Sequence, residues 1–136
     1  MWLQDLIDEV NAITSPSKPF NSVNLNLYQD GRQGLGDHSD AEDLFKTDDG
    51  QRCILSLSIG SSRNFVLTDQ SDDTEYAVML HDGDLLMMSG CTQSHFKHRV
   101  DKSPNEVNAR INLTFRHIQD HSVDTLAKCP IRRGAY

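Results

Sequence analysis

Short segments of strict apolar–polar alternation constrain this chain more than any other feature. Val23, Leu25 and Leu27 alternate with Asn24, Asn26 and Tyr28. Leu55, Leu57 and Ile59 alternate with serines, and Ile111, Leu113 and Phe115 with Asn112, Thr114 and Arg116. A period of two puts successive side chains on opposite faces of an extended strand. Further strands are expected over 64–68, 76–80 and 85–88, separated by the acidic run 69–75 and the turn His81-Asp-Gly-Asp84. Only the start has a helical period. Trp2, Leu3, Leu6, Ile7, Val10 and Ile13 recur every three or four residues, which predicts an amphipathic helix over 2–13. Thr14-Ser-Pro-Ser-Lys-Pro19 ends it, since proline cannot continue a helix. Gly31, Gly34 and Gly36 read as a turn-rich loop, and the pattern fades after residue 118. One helix followed by many short strands predicts a mainly β protein, a barrel or jelly roll with an N-terminal flanking helix.

Composition removes several function classes. A chain of 136 residues fits one domain. Lys plus Arg is 13 and Asp plus Glu is 20, so the net charge of −7 excludes a generally basic coat for nucleic acid. Any grip on phosphate must come from a local patch. No apolar run approaches the roughly 20 residues that span a bilayer, and Met1-Trp-Leu-Gln-Asp does not resemble a signal peptide. Cys53, Cys91 and Cys129 have no zinc-like spacing, so reduced thiols in an intracellular protein are expected.

The polar strand faces admit two readings. In an ordinary half-buried sheet, Asn24, Asn26, Tyr28, Arg110, Asn112 and Arg116 would face water. In a barrel they would line a cavity. Arg110 and Arg116 share a strand face and span roughly 20 Å at about 3.3 Å per residue, enough to hold both ends of a small dianion. His38-Ser39-Asp40 is an H-x-D unit whose ends point the same way on an extended segment. A third ligand from a distant strand would complete the two-histidine, one-carboxylate face that suits ferrous iron. His95 and His98 are spaced to form a ligand pair of their own. His81, His117 and His121 are expected at the surface, Met79, Met87 and Met88 in the core, and Glu42 and Asp43 in an acidic solvated run with Asp48 and Asp49.

Taken in order, "NLNLYQDG", "GDHSDAED", "ILSLSIGSSRNF", "GDLLMMSG", "HFKHRV" and "RINLTFR" resemble the AlkB-like family of Fe(II)- and 2-oxoglutarate-dependent dioxygenases, over roughly residues 2–118. The resemblance implies a double-stranded β-helix. It also implies oxidative demethylation of N-alkylated bases in single-stranded DNA or RNA, with Fe(II), 2-oxoglutarate and O2. His38, Asp40 and His98 would be the iron ligands, the last placed by its distance to Arg110. Arg110 would pair with the distal carboxylate of 2-oxoglutarate, helped by Asn26, Tyr28 and Asn112. Arg116 would sit near the chelating end and steady Asp40. Glu42 and Arg63 would lie on the substrate side. Relatives usually carry tryptophan where this chain has Asp37. They also carry an N-terminal nucleotide-recognition lid, expected to be missing from residues 1–136, which read as a single catalytic core. Phe45 and Trp2 are then the candidates to stack on a substrate base opposite His38. A monomer without membrane contact is expected, cytoplasmic or nuclear, or a domain of a viral polyprotein. A dioxygenase of the same fold acting on protein or a small molecule, and a non-catalytic jelly-roll binding module, are the alternatives.

Overall fold

The computed structural model describes residues 2–41, 45 and 52–119. A helix, α1 (Trp2–Thr14), precedes the strands β1 (Ser22–Tyr28), β2 (Leu35–His38), β3 (Ile54–Gly60), β4 (Arg63–Asp69), β5 (Glu75–Leu80) and β6 (Leu85–Met88). A single turn, α2 (Thr92–His95), then leads into β7 (Phe96–Val100) and β8 (Arg110–Arg116). The strands form two four-stranded antiparallel sheets, ordered β1-β8-β3-β6 and β2-β7-β4-β5. This is the expected jelly roll with its flanking helix. The structure adds β2, β7 and α2, which apolar alternation does not reveal. In β7 the residues sharing a face are Phe96, His98 and Val100, and the other face carries Lys97 and Arg99. A histidine at the centre of the inward row breaks the apolar signal.

The helix packs because one stripe of it is apolar. Ile7 and Val10 are buried with Phe20, Leu55, Leu113 and Phe115, flanked by Leu3, Leu6 and Val23. Trp2 and Ile13 remain 65% exposed, so they lie outside the buried stripe. Each fully buried large apolar side chain contributes roughly 1.5–3 kcal/mol relative to exposure, and Phe115, at 0% exposure, anchors this cluster. The helix ends at Ser15, whose φ of 44° lies in the left-handed region. Asn11 then clamps the returning chain: its Nδ2 donates to the Phe20 carbonyl at 2.9 Å and its Oδ1 accepts from the Phe20 amide at 2.7 Å. Asn21 does the same for Ile118 at the end of β8.

β1 is inverted relative to a simple half-buried sheet, while β3 and β8 bury residues on both faces, Leu55, Leu113 and Phe115 under α1 and Ser56, Ser58, Arg110, Asn112 and Thr114 on the other side. Leu25 and Leu27, the apolar face of β1, point outward at 51% and 54% exposure. Tyr28, Arg110, Asn112 and Thr114 are buried between the sheets. The cavity reading of the polar faces is therefore the correct one. Gly31 permits a close approach that fixes one end of this interior. Its amide donates to the Glu106 carbonyl and its own carbonyl accepts from Ser103, each at 2.7 Å. A Cβ at Gly31 would collide with the Ser103 backbone.

Candidate active site

The polar rows meet in a narrow cavity between the sheets. Its lining includes Asn26, Tyr28, His38, Asp40, His98, Arg110, Asn112 and Arg116. Strand pairing brings the first and last elements together. His38 on β2 lies opposite His98 on β7, and Tyr28 on β1 lies opposite Arg110 on β8.

At one end, ligand atoms of His38, Asp40 and His98 all lie within 4.8 Å of one another. The two imidazoles are 4.2 Å apart between centroids, and Phe65 stacks on His98 at 5.4 Å. The Nδ1 of His38 meets the Gly36 carbonyl at 2.8 Å. A carbonyl only accepts, so Nδ1 carries the proton and Nε2 keeps its lone pair for a metal. Asp40 is 8% exposed and receives the Arg116 Nη2 on Oδ2 at 2.6 Å. Burial pushes the Asp40 carboxyl up, but the Arg116 guanidinium, with smaller help from His98 and His38, outweighs it and holds the carboxyl below its ordinary value. Asp40 is therefore a carboxylate, and among the described residues its recorded ion pair uses Oδ2. His95 is exposed at the end of α2, so His98 is the histidine brought to the triad.

At the other end, Arg110 is 1% exposed. Its Nη2 donates to Ser58 Oγ at 2.8 Å and to Asn112 Oδ1 at 2.9 Å, and among the described residues Nε and Nη1 meet no acceptor at good hydrogen-bond geometry, the Tyr28 hydroxyl being the group beside them. The guanidinium lies 5.4 Å from the centroid of the Tyr28 ring. Burial raises the Tyr28 hydroxyl above its ordinary value while Arg110 opposes the rise, so this phenol is a proton donor near neutrality. Asn112 is committed to orientation: its Nδ2 reaches Thr114 Oγ1 at 2.9 Å and Ser56 Oγ at 3.3 Å. Ser56, Ser58 and Thr114 thus belong to the site, and the inward periods of β3 and β8 were the signal for them.

Arg63, expected on the substrate side, is a buried side chain. It does not line the cavity. It begins β4 two residues before Phe65, hence on the same inward face, and is 1% exposed. Its Nη1 donates to Ser61 Oγ and the Ser62 carbonyl, and Nε and Nη2 are buried without a hydrogen-bond partner among the described residues. Its charge acts on Tyr28 and on Arg110. Glu42 lies outside the described residues. Phe45 is buried under Arg116, whose guanidinium carbon sits 4.8 Å from its ring centroid, so it is not free to stack on a base.

Residues 1–116 match the model of the 2OG-Fe(II) oxygenase superfamily. The chain belongs to this superfamily. It is 36% identical over 110 residues to human alpha-ketoglutarate-dependent dioxygenase alkB homolog 3, covering 73% of this chain and 37% of that one. It is 33% identical over 124 residues to human DNA oxidative demethylase ALKBH2, covering 85% of this chain and 46% of that one. The solved structure of OsALKBH1 superposes with a TM-score of 0.57 at 26% identity, covering 83% of this chain and 60% of that one. The chain thus spans less than half the length of these two curated relatives. The oxygenase superfamily implies Fe(II), 2-oxoglutarate and O2, and the residues fit. Two imidazoles and one carboxylate are a ferrous donor set with positions left open. The unpartnered Arg110 Nε and Nη1 are donors suited to a carboxylate.

Proposed function

We propose that this chain is the catalytic unit of an Fe(II)- and 2-oxoglutarate-dependent dioxygenase that demethylates N-alkylated bases in single-stranded DNA or RNA. One observation carries the reading: a two-histidine, one-carboxylate cluster and an unsatisfied buried arginine occupy the same cavity. The similarity to alkB homolog 3 and ALKBH2 supports the choice of substrate. His38, Asp40 and His98 would hold the iron. Arg110 and Tyr28 would take the distal carboxylate of 2-oxoglutarate, with Asn26 beside them and Asn112 aiming Arg110. Arg116 keeps Asp40 ionised and turned toward the metal. The bound iron and cosubstrate supply oxidation of the methyl carbon. In the overall balance, 2-oxoglutarate, O2 and an N-methyl group become succinate, CO2, formaldehyde and N–H. Single strands should be preferred, because reaching the methyl group in a duplex requires flipping the base.

Residues 1–136 would act as one unit and as a monomer, in an intracellular setting that suits the free Cys53 and Cys91. Among the described residues no helix is long and apolar enough to cross a membrane. The acidic balance favours a second reading, hydroxylation of a protein or small molecule by the same centre. Incubating the iron-loaded chain with 2-oxoglutarate and a methylated single-stranded oligonucleotide separates the two. Succinate together with formaldehyde and the unmodified base supports demethylation. Succinate without change in the oligonucleotide refutes it.

A further inference from the structure

The buried carboxamide of Gln93 has no part in the scheme above, yet it touches the metal cluster from behind. Gln93 is 2% exposed. Its Oε1 accepts from the backbone amide of Asp40 at 2.9 Å, and its Nε2 meets Met88 Sδ at 3.5 Å. A leucine or methionine would fill this space without burying an amide, and burial of an amide is unfavourable unless hydrogen bonds compensate. The thioether is a weak acceptor, so the compensation comes chiefly from Asp40.

Asp40 needs such a partner. β2 ends at His38, and its ladder with β7 stops at the His38–His98 pair. The Asp40 amide therefore lies beyond the sheet hydrogen bonds. Gln93 stands on α2, and α2 runs directly into β7, which carries His98. One side chain thus ties the segment bearing His38 and Asp40 to the segment bearing His98. Arg116 separately fixes the Asp40 carboxylate through Oδ2.

The geometry points to Gln93 as a positioning residue of the metal centre: it holds the Asp40 backbone so that the carboxylate and the two imidazoles converge. The role rests on the metal-site reading above and does not depend on which substrate is oxidised. Outer-shell partners of metal ligands typically change affinity by about 10–100-fold when removed.

The test is a titration of the metal-free chain with Co(II), whose visible absorption reports coordination. Gln93→Leu should bind Co(II) about 10–100-fold more weakly, with an altered spectrum. Ser94→Ala, an exposed change on the same turn, should bind like the wild type. A Gln93→Leu chain that binds Co(II) with wild-type affinity and spectrum overturns the proposal. If this variant fails to fold, hydrogen exchange in the wild type decides. A protected Asp40 amide supports the clamp, and exchange at the rate of an open loop overturns it. A wild-type chain that binds Co(II) but forms no succinate refutes the proposed activity and leaves this role standing.

Discussion

The two ends of the cavity solve opposite electrostatic problems. At the metal end, the buried carboxylate of Asp40 has its counter-charge built in, 2.6 Å away on Arg116. At the far end, Arg110 and Arg63 are both 1% exposed, and among the described residues their side-chain hydrogen bonds go to Ser58, Asn112 and Ser61 and to no carboxylate. A buried charge without a counter-ion is costly. The metal end thus keeps an anion ready for a cation, and on the function proposed above the far end would receive an anion. The second arrangement costs stability when the cavity is empty and recovers it when a carboxylate binds.

The largest expected effect separates the ends outright. His38→Ala, Asp40→Ala or His98→Ala should abolish metal binding and succinate formation, because two remaining ligands do not fix the geometry. His95→Ala should retain both, since His95 is exposed at the end of α2. Full turnover in His98→Ala would show that the third ligand lies elsewhere. Next comes Arg110→Lys, which keeps the charge and loses the planar fork. Loss of a charged hydrogen bond predicts roughly 1.5–3 kcal/mol of cosubstrate affinity, about 10- to 150-fold. Metal affinity should not change, and a parallel loss of metal binding would dissolve the distinction between the ends.

How much of this was legible in sequence depends on which signal each residue leaves. Strands β1, β3 and β8 announce themselves because apolar residues fill one face completely. β7 does not, because its inward face is centred on His98 and its outward face carries Lys97 and Arg99. His98 was reachable only through the resemblance and its distance to Arg110. Direction was not legible either. Alternation says that Leu25 and Asn26 face opposite ways, and only the second sheet shows that Asn26 faces inward. Arg63 was assigned to the substrate side through the resemblance alone, and nothing in its local sequence signals that its side chain is buried. Gln93 left no trace, since a lone glutamine on a four-residue turn has no period to belong to.

Arg63 gives a prediction with two signs. Among the described residues Arg63 makes no ion pair, and Asp30 and Glu106 feel its charge only as a minor influence; removing this buried charge should leave the empty chain at least as stable, while the anion that binds nearby loses attraction. Arg63→Met should therefore keep or raise the melting temperature without cosubstrate. It should weaken 2-oxoglutarate by on the order of 1 kcal/mol, about fivefold, as expected for one charge at moderate distance in a partly screened interior. A less stable empty chain with unchanged cosubstrate binding would make Arg63 a packing residue only.

Tyr28 reports the same end spectroscopically. Its folded pKa is raised by burial, with Arg110 working against the rise. Stability from the protonated phenol is thus fully present below the unfolded value of about 10 and is lost as pH rises through the folded value. The absorbance titration of the wild type minus Tyr28→Phe should place this phenol above the ordinary range. In Arg110→Met it should move higher still, because the opposing cation is gone. A downward movement would mean that Arg110 does not act on the phenol.

The smallest effect belongs to the outer surface, where Arg99 shows what full compensation looks like. Its guanidinium meets Glu75 at 2.6 and 3.0 Å, Asp101 at 2.8 Å and Asp37 at 3.7 Å. Hydrogen bonding to Arg99 lowers the Glu75 carboxyl below its ordinary 4.5, with burial opposing only weakly. A depressed carboxyl contributes stability above its unfolded pKa and loses it as pH falls through the folded value. Glu75 is solvent-exposed, so water and salt screen the pair and its contribution stays small. Urea unfolding of the wild type and of Glu75→Gln should therefore differ slightly at pH 7. The difference should vanish as the pH is taken well below 4.5, and shrink at pH 7 when salt is raised to about 1 M. A difference that persisted unchanged in acid would come from packing rather than charge. The contrast with the buried arginines is then direct: Arg99 already has its anions in water, whereas Arg110, on the proposed function, would meet one only when cosubstrate binds.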